Sequence, residues 1–184
     1  MNREEFKNIF LEWNRLLFEE KSIVSVDRIF EIIDKVEEIS RLVGKNVEIR
    51  YKLDREYGRV EYIVLGDKIS GAIDFERMIL GRDLGDFFVF ETFPVTSGYG
   101  PLLYEILVEK ATEVGFCLMC DQNEVSASAR SVWDKYLMRA DIDYKQLEGD
   151  VSSSLSKCYR KSGDLVILKR LRESNFISFI EEEK

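Results

Sequence analysis

A chain of 184 residues with an apolar share of 45% has the size and composition of a globular domain that buries a core of its own. It contains no histidine, which excludes Ser-His-Asp and Cys-His catalysis and imidazole-based zinc sites, and leaves Glu, Asp, Tyr, Lys, Cys or a backbone-held water for acid–base work. A net charge of −8 repels a phosphate backbone and favours a cationic or amine-bearing partner over nucleic acid.

At the N-terminus, MNREEFKN lacks the apolar stretch of a secretory signal. No apolar run approaches the roughly 20 residues of a membrane helix, so a cytoplasmic protein without a membrane partner is expected. Residues 4–20 place Phe6, Phe10, Trp13 and Leu17 on one helical face. A second helix should start near Ser25 as N-cap, turn Ile29, Ile32, Ile33, Val36 and Ile39 inward, and end at Gly44.

From Asn46 the period changes to two, with Val47, Ile49 and Tyr51 alternating with charged residues. Turns at Tyr57-Gly58 and Gly66-Asp67 predict an antiparallel meander with strands over 59–65 and 69–75. A loop over 80–86 then leads to a strongly apolar strand over 87–95. Gly98-Tyr99-Gly100-Pro101 opens a helix carrying Leu103, Leu107 and Ala111, with proline in the first turn where its missing N–H costs nothing. A strand over 116–120 follows, and strand, turn, helix, strand implies a parallel pair.

Ser126 caps the next helix, which carries Ala129, Val132, Trp133 and Tyr136. Strands are expected over 142–147 and 165–171, joined by a polar loop, and a short helix over 174–183 closes the chain. Three cysteines, an odd number, argue against a disulfide framework. Cys117 and Cys120 are three apart on the 116–120 strand and point to opposite faces, so packing roles are expected and no metal. The chain is thus read as one domain over 1–184, helical over 1–44, with a sheet core over 46–171 and a C-terminal helix over 174–184.

This order resembles the GCN5-related N-acetyltransferase superfamily from Val47 to Leu171: an α/β fold with N-terminal helices, an antiparallel meander and a parallel pair around a glycine-loop helix, all in one mixed central sheet. In that family a loop of pattern Arg/Gln-x-x-Gly-x-Gly/Ala wraps the pyrophosphate of acetyl-CoA; Val95-Thr96-Ser97-Gly98-Tyr99-Gly100 occupies the window here, without the Arg or Gln. Glycines let successive N–H groups at a helix start approach an anion closely. The resemblance implies acetyl-CoA as cosubstrate, held by Phe93, Val95, Ser97, Gly98, Tyr99 and Gly100. Ser126 to Trp133 has the spacing of the family's Asn-x-x-Ala-x-x-x-Tyr, with Trp133 where a tyrosine protonates the departing thiolate.

Indole is no acid near neutral pH, so Tyr136, three residues on, is the candidate proton donor, with a half-buried aromatic closing the core as its structural alternative. The family places a glutamate on or near the strand before the loop as base, which points to Glu91, with Asp74 as a rival and an ion pair to Arg77 as the structural alternative. The implied activity is N-acyl transfer to a primary amine, on a small cationic molecule or lysine. Gly-Tyr-Gly-Pro-Leu-Leu-Tyr and Ala-x-x-Val-Trp-x-x-Tyr are also similar to small tailed-phage proteins, which implies the alternative of a non-catalytic module that contacts a basic protein.

Overall fold

The computed structural model describes residues 26–53, 57–67, 69–80, 83–93, 95, 97–121 and 125–182. The helix expected over 4–20 and the cap Ser25 lie outside them. The chain divides into two compact units, 1–37 and 38–184. Of the first, the described part is the start of helix α1 (Val26–Leu42). The second carries the sheet.

The meander forms as the alternation predicts. Strands β1 (Asn46–Leu53), β2 (Tyr57–Leu65), β3 (Ile69–Leu80) and β4 (Asp83–Thr92) pair antiparallel in sequence order. Gly66, at φ 96°, supplies the left-handed turn between β2 and β3 that a side chain resists. Within the loop expected over 80–86, residues 83–86 are instead strand, with Leu80 paired to Asp83 and Ile79 to Leu84, because pairing satisfies backbone groups that a loop would leave to water. A bulge interrupts the same ladder: Asp74 faces Glu91 and Phe75 faces Val89, so Phe90 is the extra residue.

Helix α2 (Gly100–Glu113) crosses to β5 (Leu118–Met119), which is parallel to β4 through Phe87–Leu118 and Phe88–Met119. Helix α3 (Ala127–Tyr136) begins at Ser126, whose side chain accepts from Ala129 N–H at 3.2 Å, as its sequence predicts. Strand β6 (Ile142–Gln146) pairs antiparallel with β7 (Lys157–Lys161), which lies beside β5. Leu102, Leu103, Ile106 and Leu107 of α2 are buried with Val60, Tyr62, Ile73, Phe87 and Leu118 of the sheet in one core.

Three expectations for the C-terminal third are corrected. Residues 157–161, expected in a loop, form β7, whose Lys157, Cys158 and Tyr159 are buried. Residues 165–171, expected as a strand, form helix α4 (Val166–Glu173), with Ile167, Leu168 and Leu171 buried on one face. The closing segment is not a helix but β8 (Ile177–Glu181), parallel to β1. Among the described residues the sheet therefore has eight strands in the order β6-β7-β5-β4-β3-β2-β1-β8.

Cys117 and Cys120 do face opposite sides, since Cys120 joins the main core and Cys117 a smaller cluster behind the sheet. The expectation of no disulfide is overturned: Cys117 is bonded to Cys158, on the unforeseen strand β7. Asp86 and these two sulfurs lie within 4.8 Å of one another, but the sulfurs bond each other and Asp86 accepts from Cys117 N–H and Lys145. Among the described residues no helix is long and apolar enough to cross a membrane.

Candidate functional site

The parallel ladder between β4 and β5 is only two residue pairs long. Beyond it β4 runs on to Thr92 while β5 ends at Met119, and a cleft of about 590 Å³ opens beside this end of β4. One wall is Thr92, Phe93 and Val95; a second is Ser97, Gly98, Gly100 and Pro101 at the start of α2; a third is α3 from Ser126 to Lys135; Glu38 and Arg41 come from α1. Two helix starts, those of α2 and α3, thus border one opening.

The two glycines of the turn have different physical reasons. Gly98 sits at φ 91°, and an added Cβ would run into the guanidinium of Arg41. Glycine is therefore required at 98 by the fold itself. A Cβ at Gly100 would meet nothing within 4 Å among the described residues and would point into open space. Among the described residues no contact calls for glycine at 100. The N-cap of α2, Tyr99, makes no side-chain cap hydrogen bond, so the first N–H groups of this helix receive no acceptor from it.

Phe93, Val95, Ser97, Gly98 and Gly100 line the cleft together. Tyr99 does not: its ring stacks on Tyr62 with centroids 5.9 Å apart, and its hydroxyl donates to the Arg41 carbonyl at 3.3 Å. Glu91 is exposed at the end of β4 and is not among the lining residues. Its rival Asp74 is buried and accepts from Arg59 at 3.4 Å, while Arg77 donates to the Gly85 carbonyl and lies over the Phe116 ring.

Tyr136 is packed inside. Its ring meets Trp133 and Tyr159 edge-on, its hydroxyl has no hydrogen-bond partner among the described residues, and burial pushes its pKa well above that of a free phenol. It does not reach the cleft, so the donor and base expected from the sequence are brought neither together nor to the opening.

Four side chains that line the cleft were not among those expected from the sequence. Tyr104 lines the cleft with its hydroxyl 3.5 Å from Thr92 Oγ1, and burial raises its pKa. It stands four residues after Gly100, one turn along the helix that the glycines open, and that spacing was a usable signal. Glu38 and Arg41, three apart on one helix, share a face and both reach the cleft; Lys135 meets Glu38 at 3.1 Å. Among the described residues the charged side chains that line the cleft are Glu38, Arg41 and Lys135.

Comparison with protein-family models, with curated proteins and with solved structures finds no match to this chain.

Proposed function

We propose that this chain is an acyltransferase of the GCN5-related type that moves an acyl group from acyl-CoA to a primary amine. The observation that carries the reading is Gly100. It borders the cleft at the start of α2, and among the described residues nothing within 4 Å of a Cβ there calls for glycine, as expected of backbone that a diphosphate must approach. The strand order and the short parallel pair flanking the glycine-loop helix support the same fold family.

In this reading the cleft works mainly by positioning. The neutral amine nitrogen attacks the thioester carbonyl, the C–N bond forms, the C–S bond breaks, the nitrogen releases its surplus proton to water, and the thiolate takes up a proton. Tyr104 is the hydroxyl placed to supply it. Arg41 stands against the glycine turn and supplies the cationic side chain that Val95 lacks. Serine hydroxyls at 97, 126, 128 and 131 add uncharged donors along the walls.

The test is thermal unfolding with acetyl-CoA. At about 100 times its dissociation constant a ligand adds roughly 2.7 kcal/mol, a shift of several degrees. The competing reading is a non-catalytic module that binds a basic protein, as a phage accessory factor would. It is favoured by Trp133, buried where the family pattern has its tyrosine. An unmoved melting curve selects that reading.

A further inference from the structure

Glu38 is the one carboxylate among the described residues lining the cleft, and a lysine of the chain already occupies it. Its side chain is 9% exposed, and its Oε1 accepts from Lys135 Nζ at 3.1 Å. A carboxylate this enclosed needs a partner, because leaving it charged and unpaired is costly. Lys135 comes from the last turn of α3 and keeps 33% of its side chain exposed. It is itself a primary alkylammonium on a flexible four-carbon stem.

We infer that Glu38 is the ammonium-binding residue of the cleft, that Lys135 holds its place when no amine is bound, and that Lys135 turns to the anionic cosubstrate when both ligands are present. The inference deepens the amine-acceptor reading and rests on it. In the free cleft Lys135 already occupies Glu38. A cation arriving alone competes with this tethered ammonium, whose effective concentration is on the order of millimolar or more.

An anion removes that competitor. Phosphate groups attract Lys135 as a point charge and leave Glu38 with an empty coordination sphere that an incoming ammonium fills. The coupling is reciprocal, so bound amine must also favour bound anion. The ligand class is a primary ammonium, whose N–H donors can reproduce the contact Lys135 makes. A neutral alcohol lacks the charge, and a quaternary ammonium lacks the donor.

Isothermal titration with 1,4-diaminobutane as the cation and CoA as the anion tests the exchange. Wild-type protein should bind the diamine about tenfold more tightly with saturating CoA than without it, within the usual range of coupling between sites. Lys135→Met should bind the diamine without CoA as well as wild type does with it. Glu38→Gln should lose the diamine under both conditions; Glu38→Asp, which keeps the charge on a shorter stem, should retain weakened binding and guards against a misfolded Gln variant. Diamine affinity unchanged in folded Glu38→Gln, or no gain in Lys135→Met, overturns the inference. Absence of CoA binding to the wild type overturns the acyl-CoA reading instead, while the two variants with diamine alone still decide whether Lys135 and an ammonium compete for Glu38.

Discussion

Arg139 and Glu105 meet at 2.6 Å in the interior, with side chains 4% and 0% exposed. Arg139 also makes two hydrogen bonds to Asp141. The two carboxylates in turn accept the first N–H groups of α4: Glu105 those of Ile167 and Leu168, Asp141 that of Val166. One guanidinium thereby fixes the acids that start a helix distant in sequence.

Arg139→Met should destabilise the protein by about 3–5 kcal/mol, since it strands buried carboxylates. The loss should fall toward the lower figure, because Glu105 can take up a proton. Urea unfolding at neutral pH reads the difference, and a loss below about 1 kcal/mol would show that the network is incidental.

The same pair sets opposite pH dependences. Burial raises Glu105 to about 7, against the lowering effect of Arg139, so the folded state holds a proton more readily than the unfolded chain; that contribution is complete below about pH 4.5 and is lost as pH rises through about 7. Burial also pushes Asp141 upward, but its hydrogen bond to Arg139 and the guanidinium charge outweigh this and hold it below its ordinary value; that contribution is present above about pH 4 and is lost as pH falls through the depressed value. Unfolding free energy from pH 3 to 8 should therefore show an acid limb that Asp141→Asn flattens and a decline from 4.5 to 7 that Glu105→Gln removes.

The Cys117–Cys158 bond closes a loop with a sequence separation of 41. Loop-closure entropy puts its contribution at up to about 4 kcal/mol. Among the described residues β5 joins β7 through one register pair, so the bond reinforces a short ladder. Reduction, or Cys158→Ser, should lower the melting temperature by several degrees; identical melts with and without reductant would show the covalent link to be immaterial.

Gly98 and Gly100 should separate stability from binding. Gly98→Val should cost more than about 1 kcal/mol through its positive φ, while the flexible tip of Arg41 can move aside. Gly100→Val should fold normally and lose acetyl-CoA affinity, because a branched side chain projects into the cleft. Unchanged affinity in folded Gly100→Val would return this glycine to a role in the turn alone.

Tyrosine substitutions distinguish the cleft from the core. Tyr104→Phe should reduce turnover of an accepted amine by roughly 10²-fold at the lower end of acid–base effects, with acetyl-CoA affinity little changed. Tyr136→Phe should leave turnover intact and stability equal or slightly higher, since it removes a buried hydroxyl without a partner. Glu91→Gln, on an exposed position, should likewise leave stability unchanged. Equal turnover for Tyr104→Phe and wild type would remove Tyr104 from the chemistry.

Local chemistry alone determined much of the fold. The period-two runs from Asn46 onward, the Ser126 cap and the glycine turn after an apolar strand each carry their own signal, and they form the meander, α3 and the start of α2. The run Leu165-Val166-Ile167-Leu168 satisfies strand and helix equally by composition. Its helical outcome is set by Glu105 and Asp141, which lie 62 and 25 residues away from the N–H groups they accept. Likewise Lys157-Cys158-Tyr159-Arg160-Lys161 lacks alternation and becomes a strand between β5 and β6, while 177–181 becomes one by completing the edge of β1. The cleft follows the same division. Gly98, Gly100 and their neighbours were legible because a turn is local; Glu38, Arg41, Tyr104 and Lys135 come from three helices, and only packing brings them together. Side-chain charge and hydroxyl chemistry are written in the sequence, but the distances over which they act belong to the tertiary structure.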